Sequence, residues 1–296
     1  MNDRIDPSRD YSNQAAVPDF QSYFDRWSSS SAELRTARSC FLDVPYGVGW
    51  RQSCDIFPAS EEKSPVLVFI HGGWWHFFDK SGHSFVAEPF LQKGACVVLL
   101  NYPLAPMVAI EDIVESVRQG VAWVRDNIAR FGGDPACITV CGHSTGGHLT
   151  ALIAQEDTSS ERSVHKIVQA CVSISGVYDL TPILATPHNK SIRMLQTTAE
   201  VATAMTKINT IRCSMTIAVG EKETPGFRWQ HDAFEERCDW AGKSLTAIVC
   251  DGDNHFSVVD GLSRSDSVLF RRTWASMVDG EPGRGASSRA PLWTIT

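Results

Sequence analysis

Two short stretches of this chain are apolar at every position, and they limit the folds that it can adopt more than any other feature. Residues 66–70 and 96–100 are rich in Val, Leu and Ile and do not alternate with polar residues. A strand of this composition has to be buried on both faces, as in a parallel sheet that is covered by helices on either side. The sequence therefore predicts an α/β fold built around a parallel sheet.

Further apolar, β-branched runs bounded by turn residues extend this sheet. The eight predicted strands are residues 40–44, 52–57, 66–70, 96–100, 138–141, 171–175, 215–219 and 245–250. Helical spacing of apolar residues from Ile110 to Ile128 predicts a helix that ends at the glycine pair 132–133. More helices are predicted over 146–155, 229–240 and 265–277. The turn at 46–49 indicates an antiparallel hairpin, and the later strand–helix–strand order indicates parallel pairing.

A length of 296 residues is compatible with one domain or with two. The predicted strands, however, place nearly the whole chain in one sheet. We therefore expect a single domain over residues 1–278, with helices on both faces of a mostly parallel eight-stranded sheet. Residues 179–209 interrupt the alternation with prolines and polar, Thr-rich stretches, and are predicted to form a small helical lid over about 180–209. Residues 279–296 show little periodicity, which predicts a disordered tail.

Charge and composition exclude several kinds of partner. The chain has 27 Lys+Arg against 34 Asp+Glu, a net charge of −7, and its basic runs are only pairs, so nucleic acid is not expected. The first fourteen residues lack an apolar stretch, and no segment approaches the roughly 18 apolar residues of a membrane helix, so neither secretion nor a membrane is predicted. The nine scattered cysteines indicate buried thiols in the cytoplasm. Cys137 and Cys141 are not favoured as zinc ligands, and no metal or other cofactor is predicted.

The pentapeptide Gly142-His143-Ser144-Thr145-Gly146 lies between a predicted strand and a predicted helix. A tight strand-to-helix turn needs small residues beside its serine, and it lifts the hydroxyl above the sheet edge. The bare pattern also occurs in ordinary glycine-rich turns, but its strand–turn–helix context favours a nucleophile elbow. Ser144 is therefore the predicted nucleophile.

A second glycine-rich loop, His71-Gly72-Gly73-Trp74-Trp75, follows the strand at 66–70 directly. Its backbone N–H groups are suited to an oxyanion, which acyl transfer creates. We assign the oxyanion hole, the site that binds this charged oxygen, to the amides of Gly73 and Thr145, with Gly72 or Trp74 as a third donor. The aromatic residues of this loop are candidates to contact an aromatic substrate: Trp74, Trp75, Phe77 and Phe78. For each of them, packing in the core is the alternative.

A serine nucleophile needs a base, and the base needs an acid to orient it. His255 lies in the loop after the last predicted strand and is the predicted base, whereas His71 is expected to brace its own loop and His148 to pack. The loop after the strand at 215–219 contains no aspartate, so the acid is predicted to be Glu223, with Glu221 and then Asp179 as alternatives. The chain order Ser, Glu, His is that of α/β-hydrolases.

These motifs together resemble kynurenine formamidase (arylformamidase), a serine hydrolase of the α/β-hydrolase superfamily, over residues 8–278. The residues that carry the resemblance are His71-Gly72-Gly73-x-Trp75, Asp79-Lys80-Ser81, Asn101-Tyr102-x-Leu104-Ala105-Pro106, Gly142-His143-Ser144-x-Gly146, Ser175-Gly176-Val177-Tyr178-Asp179-Leu180 and His255-Phe256-Ser257-Val258-Val259, with Asp10-Tyr11-Ser12, Tyr46-Gly47 and Asp55-Ile56-Phe57 nearer the amino end. Small carboxylesterases share some of them. The resemblance implies hydrolysis of a small acyl amide of an aromatic amine, with N-formylkynurenine as the leading substrate.

Two departures from that family bear on the site. The family's acid loop reads Asp-Ser-Pro-x-Phe, and here Glu223-Thr224-Pro225-Gly226-Phe227 occupies that frame, which favours Glu223 over Glu221. Thr145 replaces the usual alanine of the elbow. The alternatives are a carboxylesterase or amidase for other short-chain or aromatic esters, and a binding protein that has lost catalysis. The predicted partner is a small aromatic amide or ester. A second copy of this chain, forming a homodimer, is a further candidate partner.

Overall fold

An eight-stranded, mostly parallel sheet forms the centre of the computed structural model, which describes residues 5–156 and 164–279. Its strands are β1 (Phe41–Pro45), β2 (Ser53–Phe57), β3 (Ser64–Ile70), β4 (Cys96–Leu100), β5 (Gly133–His143), β6 (Val168–Ile174), β7 (Ser214–Gly220) and β8 (Thr246–Cys250). Their order is β1-β2-β4-β3-β5-β6-β7-β8, with β1 and β2 antiparallel to their neighbours and β3 to β8 parallel. The α/β-hydrolase fold predicted from the sequence is confirmed.

The central strand β3 shows why its residues do not alternate with polar ones. Val66 and Val68 belong to the apolar core on one face of the sheet, and Leu67 and Phe69 belong to the core on the other face. Strand β4 divides its side chains between the two cores in the same way. Because helices cover both faces, each position of these strands gains from apolar burial.

The helices fill both faces and the carboxyl edge of the sheet. They are α1 (Pro7–Asp10), α2 (Asn13–Ala16), α3 (Phe20–Ala37), α4 (Glu88–Gln92), α5 (Ile110–Asn127), α6 (Thr145–Ile153), α7 (Asn189–Ile192), α8 (Gln196–Ala202), α9 (Pro225–Trp240), α10 (Ser257–Asp260) and α11 (Val268–Val278). Short 3-10 helices cover Lys80–Val86, Ile128–Phe131, Val164–Lys166, Thr181–Ala185, Ala204–Thr206, Ile208–Thr210 and Gly261–Ser263.

Two predicted helices have different starts in the structure. The helix predicted from 229 begins at Pro225, because proline is well suited to the first helical position, where its missing N–H is not needed. The helix predicted from 265 begins at Val268, where the hydroxyl of Ser267 accepts a hydrogen bond from the amide of Phe270 and caps it.

The helix α3 was missed by the sequence prediction, although its pattern is amphipathic. Phe20, Phe24, Trp27 and Leu34 recur at helical spacing, and Trp27 stacks on Phe85 with ring centroids 5.7 Å apart. The serine run 28–31 within α3 lowers its helix propensity and hides this pattern. Packing of the aromatic stripe against the rest of the chain compensates for this weak propensity.

Helical turns also occupy most of the segment predicted as a lid, where α7 and α8 lie between 3-10 turns. The predicted tail lies, apart from Asp279, outside the described residues. Within 5–156 and 164–279, none of the helices has both the length and the apolar character needed to cross a bilayer.

Candidate active site

Ser144 lies at a sharp turn between the end of β5 and the start of α6. Its backbone has φ 57° and ψ −120°, a conformation that costs a non-glycine residue about 1–3 kcal/mol. The amide of Ser144 donates to the carbonyl of Ile174 on β6, which holds the turn against the sheet. This geometry leaves the hydroxyl at the carboxyl edge, where α6 begins.

The two glycines of the pentapeptide are required by close backbone contacts. A Cβ atom at Gly142 would lie 2.2 Å from the carbonyl oxygen of Gly146, and one at Gly146 would lie 2.1 Å from that of Ile70. Both distances are far inside van der Waals contact and involve backbone atoms that cannot rotate away. The G-x-S-x-G spacing therefore follows from the tightness of the turn.

Gly146→Ala is expected to destabilise the protein by more than about 3 kcal/mol, since its new methyl group would press on the backbone that joins β3 to the loop 71–78. Gly82→Ala is the matched control, because a Cβ there meets no atom within 4 Å. Urea unfolding of both variants measures the difference. Equal midpoints for the two variants would contradict the packing argument.

The three side chains predicted as nucleophile, base and acid lie in hydrogen-bonding contact. His255 Nε2 is 3.1 Å from Ser144 Oγ, and His255 Nδ1 is 2.7 Å from Glu223 Oε2. Since the carboxylate only accepts, Nδ1 carries the proton, and in the neutral ring Nε2 is free to accept from the serine. The three side chains come from the ends of β5, β7 and β8 and are all buried.

The other oxygen of Glu223 is held by two donors. The Ser175 hydroxyl donates to Glu223 Oε1, as does the amide of Gly220 at 3.3 Å. Ser175 follows β6 and was not singled out among the predicted site residues, although it opens one of the motifs that carry the family resemblance. These donors fix the carboxylate so that its second oxygen faces His255.

The alternative acids lie elsewhere. Glu221 is exposed and accepts from the amide of Gly252 at 2.8 Å. The carboxylate of Asp179 accepts from the amide of Thr181 at 2.8 Å, two residues along the chain. Among the candidate acids, the geometry brings Glu223 alone to His255.

His143, the residue before Ser144, supports the loop that carries His255. Its Nε2 donates to the carbonyl oxygen of His255 at 2.8 Å, and the two rings lie 4.9 Å apart. Burial lowers the pKa of His143 well below its usual range, so this ring is neutral and can donate through only one nitrogen. The contact explains a histidine at this position, which the sequence had left without a role.

The loop 71–78 reaches Ser144 in an unusual backbone conformation. A Cβ at Gly72 would lie 3.0 Å from the Cβ of Ser144, and Gly73 has φ 109°. Trp74, Trp75 and Phe78 also have positive φ, between 51° and 68°. Within the described residues, the amides of Gly73 and Thr145 donate to no protein acceptor. Two unpaired N–H groups thus lie in the two segments that flank the serine.

A buried polar network holds this loop from behind. Arg51 donates to the carbonyl of Phe78 at 2.9 Å, to that of Tyr102 at 2.8 Å and to Asn101 Oδ1 at 2.8 Å. The Tyr102 hydroxyl donates to the carbonyl of His71 at 2.8 Å. Burial lowers the pKa of His71 to about 3, so this ring is neutral and braces its own loop. These bonds compensate for the backbone strain of the loop.

Trp75, predicted to contact substrate, lies instead in the core. It is fully buried, and its Nε1 donates to Nδ1 of His148 at 3.3 Å. His148 Nε2 in turn donates to the carbonyl of Ala202 at the end of α8, 2.8 Å away, and burial lowers the pKa of His148 to about 4. The substrate prediction for Trp75 was wrong, because its fully buried ring packs against His148 and does not line the pocket. His148, which lies on α6, thus connects this helix to the Trp75 ring and to α8.

Above Ser144 and His255 lies a pocket with mostly aromatic walls. Trp74 and Phe77, the other two residues predicted to bind substrate, line it, and Trp74 stacks on His188 with centroids 4.1 Å apart. The lining residues that sequence reasoning did not find come chiefly from the amino-terminal segment and from histidines: Ser12, Asn13, Gln14, Phe24, Trp27, His83, His143, His188 and Phe256. No cluster of three or more His, Cys, Asp or Glu that could hold a metal occurs among the described residues.

Known proteins are similar to this chain in sequence. The BD-FAE family model matches residues 54–227. Kynurenine formamidase of Danio rerio is 30% identical over 275 residues, which cover 90% of this chain and 91% of that protein. This chain belongs to the kynurenine formamidase family. The kynurenine formamidase of Salmo salar is 28% identical and covers 89% of this chain and 90% of its own.

A solved structure is also similar to this chain. A candidate thioesterase from Silicibacter sp. TM1040 superposes with a TM-score of 0.82 at 29% identity, covering 90% of this chain and 98% of its own. Together with the curated relatives, it identifies this member of the kynurenine formamidase family as a hydrolase of amide or ester bonds. The resemblance noted from the sequence motifs is confirmed.

Proposed function

We propose that this protein hydrolyses the formyl amide of an aromatic amine through Ser144, His255 and Glu223, with N-formylkynurenine as substrate. The observation that carries the proposal is the hydrogen-bonded series from Ser144 Oγ through the His255 ring to Glu223 Oε2, with distances of 3.1 and 2.7 Å. This is the geometry that activates a serine hydroxyl at neutral pH.

In the first half of the reaction, Ser144 Oγ attacks the formyl carbon while His255 Nε2 takes its proton. Glu223 stabilises the resulting imidazolium by accepting the hydrogen bond from Nδ1–H. The carbonyl oxygen becomes an oxyanion that the amides of Gly73 and Thr145 bind. His255 then protonates the amine nitrogen, so the C–N bond breaks and the aromatic amine leaves.

In the second half, water attacks the formyl ester of Ser144. His255 removes a proton from this water and returns it to Ser144 Oγ as the ester bond breaks, which releases formate. Each step moves one proton through the same ring nitrogen. The chain's own residues therefore balance the reaction, amide plus water giving amine plus formate.

The choice of substrate is supported by the relatives and by the pocket. Two similar proteins are named kynurenine formamidase, and aromatic rings such as Trp74 and Phe77 offer stacking surfaces to an aryl leaving group. We further propose that the segment 180–209 acts as a lid, since His188 within it stacks on Trp74. A cytoplasmic location is part of the proposal, because all nine cysteines are free thiols and seven are buried.

The test is a substrate panel with the purified protein. Release of formate and kynurenine from N-formylkynurenine is compared with hydrolysis of short p-nitrophenyl esters, as kcat/KM for each. The proposal expects N-formylkynurenine to be preferred. A preference for the esters by more than a hundredfold, about 2.7 kcal/mol in transition-state binding, would replace it with a carboxylesterase function.

A further inference from the structure

Arg51 is a buried charged residue behind the loop 71–78, and the reaction as described does not use it. It lies in the turn between β1 and β2, does not line the pocket above Ser144, and has only 9% of its surface exposed. A buried guanidinium is costly unless its N–H groups are paired with acceptors. The acceptors that pair with Arg51 belong to the loop 71–78 or to the residues that hold this loop.

The far end of the loop is bound directly by Arg51. Its Nη2 donates to the carbonyl of Phe78 at 2.9 Å, and its Nε donates to that of Tyr102 at 2.8 Å. Its Nη1 also forms an ion pair with Asp79, the residue after the loop, at 3.3 Å. Phe78 has a positive φ of 68°, so the direction of its backbone is strained and needs such a partner.

The same guanidinium reaches the start of the loop through Asn101. Asn101 Oδ1 accepts from Arg51 Nη2 at 2.8 Å and from His71 Nε2 at 3.0 Å. Asn101 Nδ2 donates to Asp79 Oδ2 at 2.8 Å. One guanidinium and one side-chain amide thus connect the first residue of the loop with the residue that follows its last one. Because the N–H groups of a guanidinium are planar and fixed in direction, they also fix the distance between the two ends.

Between these ends, the backbone forms a turn that closes on itself. The carbonyl of Gly73 accepts from the amides of His76 at 3.0 Å and Phe77 at 2.8 Å. The carbonyl of Trp75 accepts from the amide of Ala105 at 2.9 Å, in the same segment after β4 to which Arg51 donates. The turn therefore keeps its own shape, and the direction of the Gly73 amide depends on where the ends of the loop are held.

We propose that Arg51 is a positioning residue for oxyanion binding. It holds both ends of the loop 71–78 so that the amide of Gly73 points at the oxygen under attack. This amide binds more strongly in the transition state, where that oxygen carries charge, so Arg51 acts on the chemical step more than on substrate binding. The inference rests on the proposed function in its use of Ser144 and Gly73, and not on the choice of a formamide. Arg51 lies outside residues 54–227 that the family model matches.

Arg51→Lys tests the proposal, because it keeps the positive charge but replaces three fixed donor directions with a single ammonium. We expect kcat/KM to fall about a hundredfold, the loss that follows removal of one oxyanion donor. Both N-formylkynurenine and p-nitrophenyl acetate are assayed. Arg125→Lys is the matched control, since Arg125 is 44% exposed on α5 and pairs with its neighbour Asp126. Its kcat/KM is expected to stay unchanged.

Two ketones of similar shape separate oxyanion binding from a general structural role. In 2,2,2-trifluoroacetophenone the carbonyl carbon is strongly electrophilic, so Ser144 Oγ adds to it while His255 takes the proton. The product is an anionic hemiketal whose oxygen needs the oxyanion hole. Acetophenone stays a ketone. Arg51→Lys is expected to raise the inhibition constant of the fluorinated ketone about a hundredfold and that of acetophenone less than twofold.

Equal weakening of the two ketones would assign Arg51 a general structural role and overturn the proposal, as would an unchanged kcat/KM. Thermal melting shows whether each variant is folded. If Arg51→Lys does not fold, Arg51→Met gives the same comparison, because it buries no unpaired cation. Asp79 then keeps its hydrogen bonds from Asn101 Nδ2 and from the amide of Ser81.

The ester and the ketones also separate this inference from the proposed function. If the wild-type protein cleaves p-nitrophenyl acetate but not N-formylkynurenine, the proposed substrate is wrong, and the ester and the two ketones still decide the role of Arg51. If it cleaves N-formylkynurenine and Arg51→Lys changes neither kcat/KM nor the ratio of the two inhibition constants, this inference alone is overturned.

Discussion

Ser144→Ala is expected to lower kcat for formate release by roughly a millionfold, to the level that binding and oxyanion stabilisation alone provide. The serine hydroxyl has one hydrogen-bond partner among the described side chains, His255 Nε2, and it does not cap α6. Removing it therefore deletes the nucleophile and leaves the fold in place. Steady-state kinetics with N-formylkynurenine, with the thermal midpoint measured in parallel, checks both statements.

A fluorophosphonate probe gives an independent readout of the same variant. The wild-type protein should be labelled on the peptide that contains Ser144, and the alanine variant should not be labelled at all. Hydrolysis retained within a hundredfold by Ser144→Ala, or labelling of another serine in the wild type, would rule out the proposed nucleophile. Ser12, which also lines the pocket, is the serine to examine in that case.

Glu223→Gln is expected to lower kcat by about 10³ to 10⁴ with little effect on stability. Ser175 and Gly220 both donate to Oε1, so the amide of glutamine must place its oxygen toward them and its NH₂ group toward His255. His255 Nδ1 must then accept, and Nε2 carries the proton. In that tautomer the ring donates toward Ser144 and can no longer act as its base.

Glu221→Gln is the matched control in the same loop. Its carboxylate is exposed and caps the amide of Gly252, a bond that a glutamine oxygen can keep. We expect kcat within twofold of the wild-type value. A large loss for Glu221→Gln with normal activity for Glu223→Gln would exchange the two roles. The pH dependence of kcat, measured for both variants, shows whether the base is still oriented.

The sheet could be predicted well from sequence because its signal is local. Uninterrupted apolar runs such as 96–100 have few alternatives to a buried strand, and the glycines at 142 and 146 mark the turn beside Ser144. The acid was harder to predict, since Glu221 and Glu223 lie in one loop and their difference depends on which one reaches across to β8. The structure distinguishes the two glutamates, because Glu223 lies 2.7 Å from His255 in a hydrogen bond and Glu221 does not contact it.

The parts that were missed depend on contacts between distant segments or on backbone conformation. Trp75 is fully buried whereas its neighbour Trp74 lines the pocket, and no spacing pattern distinguishes the two residues. Asn13 enters the pocket because its segment packs on α9, more than two hundred residues later in the chain, where Gly226 leaves room for Tyr11. Nothing in the residues around Asn13 indicates that contact. The helix α3 could have been found from its aromatic spacing, but its serines obscured the pattern.

The amino-terminal segment, residues 5–37, has a consequence for redesign. It supplies one wall of the pocket through Asn13, Phe24 and Trp27, yet it contributes no strand to the sheet and none of the three side chains that we propose for the chemistry. One wall of the pocket thus lies on a stretch of chain separate from the reaction machinery. Grafting this segment from a relative, while β3 to β8 stay untouched, would change that wall and leave the three side chains in place.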